Sequence, residues 1–288
     1  MNVYDEDFYN DQRDGSFKSA NTIVPMVREF IKPKLVMDIG CGLGTWLSVW
    51  KKYGAEVLGV DGDYVNREML YIDKEEFISA NLAENYVEVD GKFDLVESLE
   101  VAEHLPESRA REFVRNLTEI SDVVLFSAAI PFQGGTNHIN EQWQSYWADI
   151  FAEFGYVPID CIRTQPEKLN NVIMCYGQNI IIYVRETALS TYPLLLDFYL
   201  KYRKWQRLDY VHPLSYEYKM KEYDKITALG GEAIKNAMEE GIVNGIEQAL
   251  TKVAGKMLDR HMPPEDVANL TELPLEKVME MMKFSSNG

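Results

Sequence analysis

Several features that define large classes of proteins are scarce or missing in this sequence. No run of about 18 apolar residues occurs, so we expect no membrane span. The opening segment, MNVYDEDFYNDQRDGSF, has neither the basic nor the apolar stretch of a secretory signal. The three cysteines, Cys41, Cys161 and Cys175, are too few for a disulfide framework and suit a reducing compartment. A cytoplasmic protein is therefore expected.

Positive charge is also in short supply. The chain has 29 Lys and Arg against 46 Asp and Glu, a net charge of −17. This excess repels phosphate backbones, so nucleic acid is not the expected partner. The 288 residues, 46% hydrophobic and 26% charged, are an ordinary globular mixture. The length fits one large domain, or one domain with an appendage.

Strand-like and helix-like segments alternate through the first 187 residues. Short apolar runs predict strands at 34–40, 55–63, 76–79, 93–98, 123–128, 155–161 and 178–184. Helical patterns, such as those over 21–31 and 45–54, lie between most of them. The alternation predicts an α/β fold in which helices cover both faces of a doubly wound, mostly parallel, seven-stranded sheet.

The pattern changes near residue 187, which predicts three regions. We expect an α/β domain over 1–187, a linker or connecting helix over 188–212, and a helical tail over 213–288. The tail has 9 Lys and Arg and 13 Asp and Glu, so its charge is 9 − 13 = −4. Its interior glycines predict bends or close helix packing. They stand at positions 230, 231, 241, 245 and 255.

A glycine loop after the first strand is the sharpest local signal. In Asp38-Ile39-Gly40-Cys41-Gly42-Leu43-Gly44, the glycines permit a tight turn and close approach of a ligand. Asp38 favours a ligand with a positive charge over a pyrophosphate. Asp61 ends the second strand, where an acid can accept both hydroxyls of a ribose. Together these residues predict a ligand with a ribose and a cationic centre.

These two motifs resemble the signature of the class I S-adenosylmethionine-dependent methyltransferases, which have a Rossmann-like fold. The resemblance implies that the glycine loop holds the methionine part, that Asp61 binds the ribose, and that Asn81 and Leu82 flank the adenine. Most members have Asp where this chain has Asn81. S-adenosylmethionine is the implied cofactor and S-adenosylhomocysteine the product. The implied cofactor-binding residues are Asp38, Gly40, Cys41, Gly42, Gly44, Asp61, Gly62, Asn81, Leu82 and Glu97.

Residues 1–187 also resemble one group of small bacterial methyltransferases. The resemblance rests on the strings VDGDYV, SLEVAEHLP, VLFSAAIPFQGGTNHINEQWQSYW and QNIIIYV. This group is associated with small-molecule and surface-glycan genes, which implies a small hydroxylated acceptor.

An acidic segment with a histidine follows the fourth strand. Glu100, Glu103 and His104 have the spacing i, i+3, i+4, which puts them on one face of a helical turn. Two carboxylates and an imidazole suit a divalent metal ion. The string is similar to the metal-binding turn of RNA 3′-end 2′-O-methyltransferases and of some ubiquinone-pathway O-methyltransferases. In the former a later histidine completes the site, a place that His138 fills here.

Three interpretations of this segment stay open from sequence alone. Glu100, Glu103, His104 and His138 bind a metal, or Glu103 and His104 serve a structural role, or His104 or His138 is a metal-free base. The predicted catalytic residues are His104, His138 and Glu100.

A long polar and aromatic loop, residues 130–147, follows the fifth strand. Loops at the carboxyl edge of such sheets hold substrate-reading groups. Gln142, Trp143 and Tyr146 are the predicted substrate-binding residues. Trp147, by contrast, is predicted to face the sheet from an amphipathic helix.

The helical tail resembles that of PD-(D/E)XK-type transposase-nuclease proteins. The resemblance covers residues 213–288 only, and Glu272 stands where such tails usually have a turn glycine. With no nuclease core in the sequence, no nuclease activity is implied. An amphipathic tail of this kind favours self-association, so a homo-oligomer is expected.

The sequence as a whole predicts a methyltransferase that acts on an oxygen of a small hydroxylated acceptor, such as a sugar, a glycan or a natural-product precursor. Two alternatives stay open: an RNA-end or protein methyltransferase, and an assembly module that binds S-adenosylmethionine without turnover.

Overall fold

The chain forms two compact units, Met1–Tyr216 and Glu217–Gly288, in a computed structural model that describes residues 6–204, 207–223, 241, 245 and 250–285. No helix in these parts of the chain is both long enough and apolar enough to cross a bilayer.

The first unit is built on one sheet of seven strands. Their bounds are β1 Leu35–Ile39, β2 Glu56–Asp61, β3 Phe77–Ser79, β4 Leu95–Leu99, β5 Val123–Ser127, β6 Tyr156–Ile159 and β7 Ile181–Arg185. They lie in the order β3-β2-β1-β4-β5-β7-β6. All neighbours are parallel except that β7 runs antiparallel to β5 and β6. The doubly wound, mostly parallel seven-stranded sheet predicted from the sequence is confirmed.

Helices cover both faces of this sheet. They are α1 Glu6–Phe30, α2 Thr45–Lys52, α3 Glu107–Ile120, α4 Gln144–Glu153, α5 Met174–Asn179 and α6 Pro193–Tyr202. Successive strand residues point to opposite faces, so Val36 packs in the core beneath α1, α2 and α6, and Met37 packs with α3 and α4. Trp147 of α4 is buried against Phe126 of β5, as predicted.

Two elements differ from the sequence prediction. The helix predicted over 21–31 begins much earlier, because α1 spans Glu6–Phe30. The last strand was predicted to begin at Gln178, yet Gln178 and Asn179 belong to α5 and β7 begins at Ile181. The amide side chains of both residues form buried hydrogen bonds, so tertiary contacts override the local apolar pattern.

Residues 188–212, expected to be a linker, include α6 and a segment, 207–212, that is held within the first unit. The Arg163 guanidinium forms a two-bond ion pair with Asp160 and donates to the carbonyl oxygen of Leu208 at 3.0 Å. The backbone N–H of His212 donates to Gln178 Oε1 at 2.8 Å. The two units divide further along the chain, between Tyr216 and Glu217.

The second unit is helical in its described part. Residues 250–259, helix α7 (Pro264–Thr271) and helix α8 (Leu275–Ser285) pack around a small core. The core consists of Ala254, Leu258, Val267, Leu273 and Val278. Glu272 takes the left-handed conformation, φ 56°, at the turn where related tails place glycine. Of the glycines expected at bends, Gly255 lies next to Met281, and Gly230 and Gly231 lie outside the described residues.

Candidate functional site

The glycine loop joins the end of β1 to the start of α2, at the carboxyl edge of the sheet. Gly40 has φ 89°, and a side-chain carbon added there would meet Val101 Cγ2 at 2.2 Å. Gly44 has φ 77° and caps α2. Both positions therefore require glycine, in conformation and in space. A cavity lies against this loop, with Asp38, Trp46, Glu100 and Tyr176 among its lining residues.

Asp61 fastens the end of β2 to the glycine loop. Its Oδ2 accepts the backbone N–H of Gly42 at 2.7 Å, and its Oδ1 accepts the N–H of Gly62 at 2.6 Å. The Tyr64 hydroxyl also donates to Oδ1. The Asp61 carboxylate is therefore fixed beside the loop by two backbone N–H donors. Its Oδ1 also faces the Tyr64 hydroxyl.

The Asn81-Leu82 turn follows β3 at the same edge of the sheet. The N–H of Ala80 donates to the carbonyl oxygen of Asp61 at 2.8 Å, which places the turn next to the end of β2. Asn81 is exposed and its Oδ1 accepts the N–H of Ala83, whereas Leu82 is buried. The positions predicted to flank an adenine thus adjoin the position predicted to bind a ribose.

Two buried acids, Asp38 and Glu97, are cross-strand neighbours in β1 and β4. Trp50 Nε1 donates to Glu97 Oε2 at 2.9 Å, whereas Oε1 has no hydrogen-bond partner among the described residues. Burial raises the pKa of Glu97 to about 8. Burial, and then the charges of Glu97 and Asp61, raise the pKa of Asp38. Glu97 is not among the lining residues of the cavity, and its cofactor-binding role stays a prediction.

We expect Glu97 to make the protein less stable as the pH rises. An acid with a higher pKa in the folded than in the unfolded state binds more protons when folded, so the free energy of unfolding falls from about pH 4.5 to about pH 8. Glu97→Gln does not titrate, so this fall in the free energy of unfolding is removed, and the amide oxygen still accepts the hydrogen bond from Trp50. Without ligand, the variant should gain roughly 3 kcal/mol over wild type between about pH 5 and about pH 8. Denaturant melts at both pH values measure this; parallel pH profiles would contradict it.

Glu100 does not share a face with Glu103 and His104, contrary to the helical spacing. It leaves β4 in the left-handed conformation, φ 57°, and the turn that follows is a short 3₁₀ helix, Ala102–His104. The carboxylate of Glu100 accepts from Gln133 Nε2 at 3.0 Å and from Asn179 Nδ2 at 3.1 Å. Glu100 therefore lines the cavity and is not among the residues whose ligand atoms lie within 4.8 Å of one another, although its charge acts on Glu103.

Glu103, His104 and His138 do come together, and we call them the histidine cluster. One ligand atom from each lies within 4.8 Å of the others. The two imidazole rings meet edge to face, with centroids 4.9 Å apart. The Glu103 carboxylate and His104 Nδ1 have no side-chain hydrogen-bond partner among the described residues, although the backbone at Glu103 and Ala129 stabilises the carboxylate and the backbone at Asn137 interacts with His104. Burial, and then the charge of Glu100, raise the pKa of Glu103, and burial followed by His138 lowers that of His104.

The predicted substrate-binding residues lie at the start of α4, away from the cavity at the glycine loop. Gln142 Nε2 donates to Asn140 Oδ1 at 3.0 Å, Trp143 precedes the first turn of the helix, and Tyr146 packs edge-on against Trp147. None of the three is among the lining residues of that cavity. Their part in acceptor binding stays a prediction.

Sequence reasoning missed a group of amides that adjoins Glu100. Asn179 Nδ2 and Gln178 Nε2 both donate to Gln133 Oε1, at 2.9 and 3.0 Å. Gln178 and Asn179 are almost completely buried. Buried amides are costly unless bonded, so this group fixes the geometry of one wall of the site. The sequence signal that could have revealed this group is the pair of adjacent amide residues, Gln178 and Asn179, directly before an apolar strand.

Comparison with known proteins agrees with this geometry. Residues 18–158, just under half of the chain, match the family model described as a methyltransferase domain. The chain contains a methyltransferase domain. Its sheet has the class I methyltransferase fold, with the glycine loop, Asp61 and the histidine cluster inside the matched region, and Gln178 and Asn179 beyond it.

Curated relatives of the methyltransferase domain are named as O-methyltransferases. A probable chloroplastic tocopherol O-methyltransferase of Oryza sativa subsp. japonica is 35% identical over 99 residues, 31% of this chain and 26% of that protein. A ubiquinone biosynthesis O-methyltransferase of Nitrosococcus oceani is 30% identical over 109 residues, 33% of this chain and 45% of that protein. The chain thus spans less than half the length of these relatives.

Solved structures that resemble the methyltransferase domain are more distant. Magnesium protoporphyrin IX methyltransferase from Synechocystis PCC 6803, with bound SAH, is 19% identical, with a TM-score of 0.46 over 65% of this chain and 90% of that one. The methyltransferase domain of bacterial CtHen1-C is 21% identical, with a TM-score of 0.42 over 59% of this chain and 97% of that one.

Proposed function

We propose that this protein is an S-adenosylmethionine-dependent methyltransferase that transfers a methyl group to a hydroxyl oxygen of a small acceptor. The observation that carries the proposal is the glycine loop fastened to Asp61 at the carboxyl edge of the sheet. Ligands bind at that edge in doubly wound sheets. The names of the curated relatives support O-methylation.

The residues present fit this cofactor. Gly40 gives the ligand close access to the backbone, and Asp38 offers a buried acid to a cationic group. Asp61 keeps acceptor capacity for a ribose, since the Tyr64 hydroxyl on Oδ1 is replaceable by a ribose hydroxyl. S-adenosylmethionine supplies a methyl group that is already activated on a sulfonium centre. The chain's own task is therefore to align the acceptor and to remove its proton.

The histidine cluster is the part of the site suited to that proton. A lowered pKa keeps His104 neutral near pH 7, the form in which an imidazole nitrogen accepts a proton from an acceptor hydroxyl. The buried carboxylate of Glu103 and the imidazoles of His104 and His138 also fit a divalent cation. Such an ion supplies a positive charge that favours the ionised form of a hydroxyl.

An isotope-labelled methyl-transfer screen tests the proposal. The acceptors are nucleotide sugars, glycans, phenols and a single-stranded RNA 3′ end, each assayed with and without EDTA. We expect label in a small hydroxylated acceptor and none in RNA, because the net charge of −17 repels phosphates. Label in RNA alone would refute the acceptor class. S-adenosylhomocysteine binding with no transfer to any acceptor would favour an assembly module.

The second unit is proposed as a self-association element. Its described helices expose Leu270, Leu275 and Met279 to solvent, and its charge of −4 gives little reason to bind DNA.

A variant that ends at Tyr216 should bind the cofactor with wild-type affinity but form a smaller oligomer. The cut falls between the compact units, so it spares the contacts of Arg163 and Gln178 with residues 207–212. Light scattering of both proteins at equal concentration measures the change. An unchanged subunit number would show that the second unit plays no part in association.

A further inference from the structure

Glu141 joins His138 to two backbone groups of the same loop. Glu141 Oε1 lies 3.0 Å from His138 Nδ1 and accepts the N–H of Gly134 at 2.8 Å. Its Oε2 accepts the N–H of Phe132 at 2.8 Å. One side chain thus folds residues 132–141 into a closed loop and fixes the imidazole at its centre.

This contact selects one form of the His138 ring. A carboxylate oxygen that accepts from Nδ1 requires the proton on that nitrogen, so in the neutral ring Nε2 keeps its lone pair. A side-chain carbon on Gly135 would lie 2.2, 2.4 and 2.8 Å from Nε2, Cε1 and Cδ2 of that ring. Such similar distances to three ring atoms place Gly135 against the face of the ring, so the lone pair of Nε2, which lies in the ring plane, stays accessible.

The free nitrogen belongs to the histidine cluster. One ring nitrogen of His138 lies within 4.8 Å of a ligand atom of Glu103 and of His104, and because Glu141 engages Nδ1, Nε2 is the nitrogen left to bind a cation. Glu103 is fully buried, and its carboxylate has no side-chain hydrogen-bond partner among the residues described; only backbone groups of Glu103 and Ala129 stabilise it. A buried carboxyl group is costly in its ionised form unless a positive charge stabilises it, and a cation held between Glu103 and the two imidazoles would supply that charge.

We propose that Glu141 is a positioning residue for a divalent-cation site whose protein ligands are Glu103, His104 and His138. The proposal rests on the cation part of the proposed function and goes beyond it in two ways. It assigns Glu141 the task of orienting His138, and it leaves Glu100 outside the ligand set. A carboxylate that accepts from the far nitrogen of a ligand histidine fixes its tautomer and raises its basicity.

Mn²⁺ binding to full-length protein, freed of metal by EDTA and dialysis, tests this arrangement. Free Mn²⁺ is read by electron paramagnetic resonance, and we expect one site per chain. Glu141→Gln should weaken the affinity by about 10- to 100-fold, because a neutral amide has one oxygen, cannot accept from Phe132, Gly134 and His138 together, and orients the imidazole less strongly. Glu103→Gln should abolish binding. Glu100→Gln should change the affinity by about threefold at most, because only its charge acts at a distance.

A second readout separates orientation of the ring from simple support of the loop. Long-range ¹H–¹⁵N spectra of the metal-free protein should show the neutral His138 ring with its proton on Nδ1 in wild type and with a larger share of the Nε2-protonated tautomer in Glu141→Gln. Equal Mn²⁺ affinity in wild type and Glu141→Gln would overturn the proposal, as would a loss in Glu100→Gln equal to that in Glu103→Gln. If wild type binds no Mn²⁺ yet transfers methyl groups in EDTA, this inference fails and the proposed function stands.

Discussion

Methyl transfer should be lost in His104→Ala, while the affinity for S-adenosylhomocysteine stays within about threefold of wild type. His104 belongs to the histidine cluster. Within the described residues it forms no hydrogen bond with the glycine loop or with Asp61. A positioned base contributes roughly 10²- to 10⁴-fold to a rate, so turnover should fall at least that far. Turnover by labelled methyl transfer and affinity by calorimetry are measured on the same preparation.

A matched control distinguishes this loss from general damage. His261→Ala changes a histidine of the second unit and should leave turnover unchanged. If His104 is structural instead, His104→Ala should lower the melting temperature and EDTA should have no effect on turnover. An active, metal-independent His104→Ala protein would remove His104 from the chemistry.

Asp61→Ala should weaken S-adenosylmethionine binding by at least about 1.5 kcal/mol, more than tenfold. One part of the loss is the charge-assisted contact to the ribose hydroxyls. The structure adds a second part, because the N–H groups of Gly42 and Gly62 lose their acceptor and the glycine loop loses its tie to β2. Asp61→Asn, which keeps one oxygen acceptor, should lose less. Calorimetric titration of each variant gives the affinities.

The neighbouring acid offers the control for this prediction. Asp63 is exposed two residues further on, so Asp63→Ala removes the same charge without touching the loop. It should bind the cofactor within about twofold of wild type. Equal weakening in Asp61→Ala and Asp63→Ala would show that net charge, and not the contact geometry, governs binding.

The cofactor end of the site was predictable because it is encoded locally. Strand, glycine turn and helix follow each other within a dozen residues, and Asp61 comes directly at the end of the next strand. In a parallel sheet such strand ends must meet at one edge, so their positions follow from the order of the elements alone. The division of the core into two clusters, one on each face of the sheet, follows in the same way from the alternation of side chains along each strand.

The wall of the site was not predictable, because it depends on contacts between distant residues. Helical spacing grouped Glu100 with His104. In the structure the Glu100 carboxylate instead accepts hydrogen bonds from Gln133 and Asn179, which are 33 and 79 residues away in sequence. For the same reason Gln178 and Asn179 were assigned to a strand. The local sequence pattern holds no information about the distant amide groups with which these two residues form hydrogen bonds.

Calorimetric titration of S-adenosylhomocysteine into the wild-type protein tests the central claim most directly. The glycine loop and the fixed Asp61 carboxylate should bind one molecule per chain, with a parallel rise in melting temperature as the ligand is added. The ligand needs no acceptor and no metal, so the result does not depend on the histidine cluster. A protein that binds none, with an unchanged melting temperature at millimolar ligand, would contradict the assignment of this site to S-adenosylmethionine.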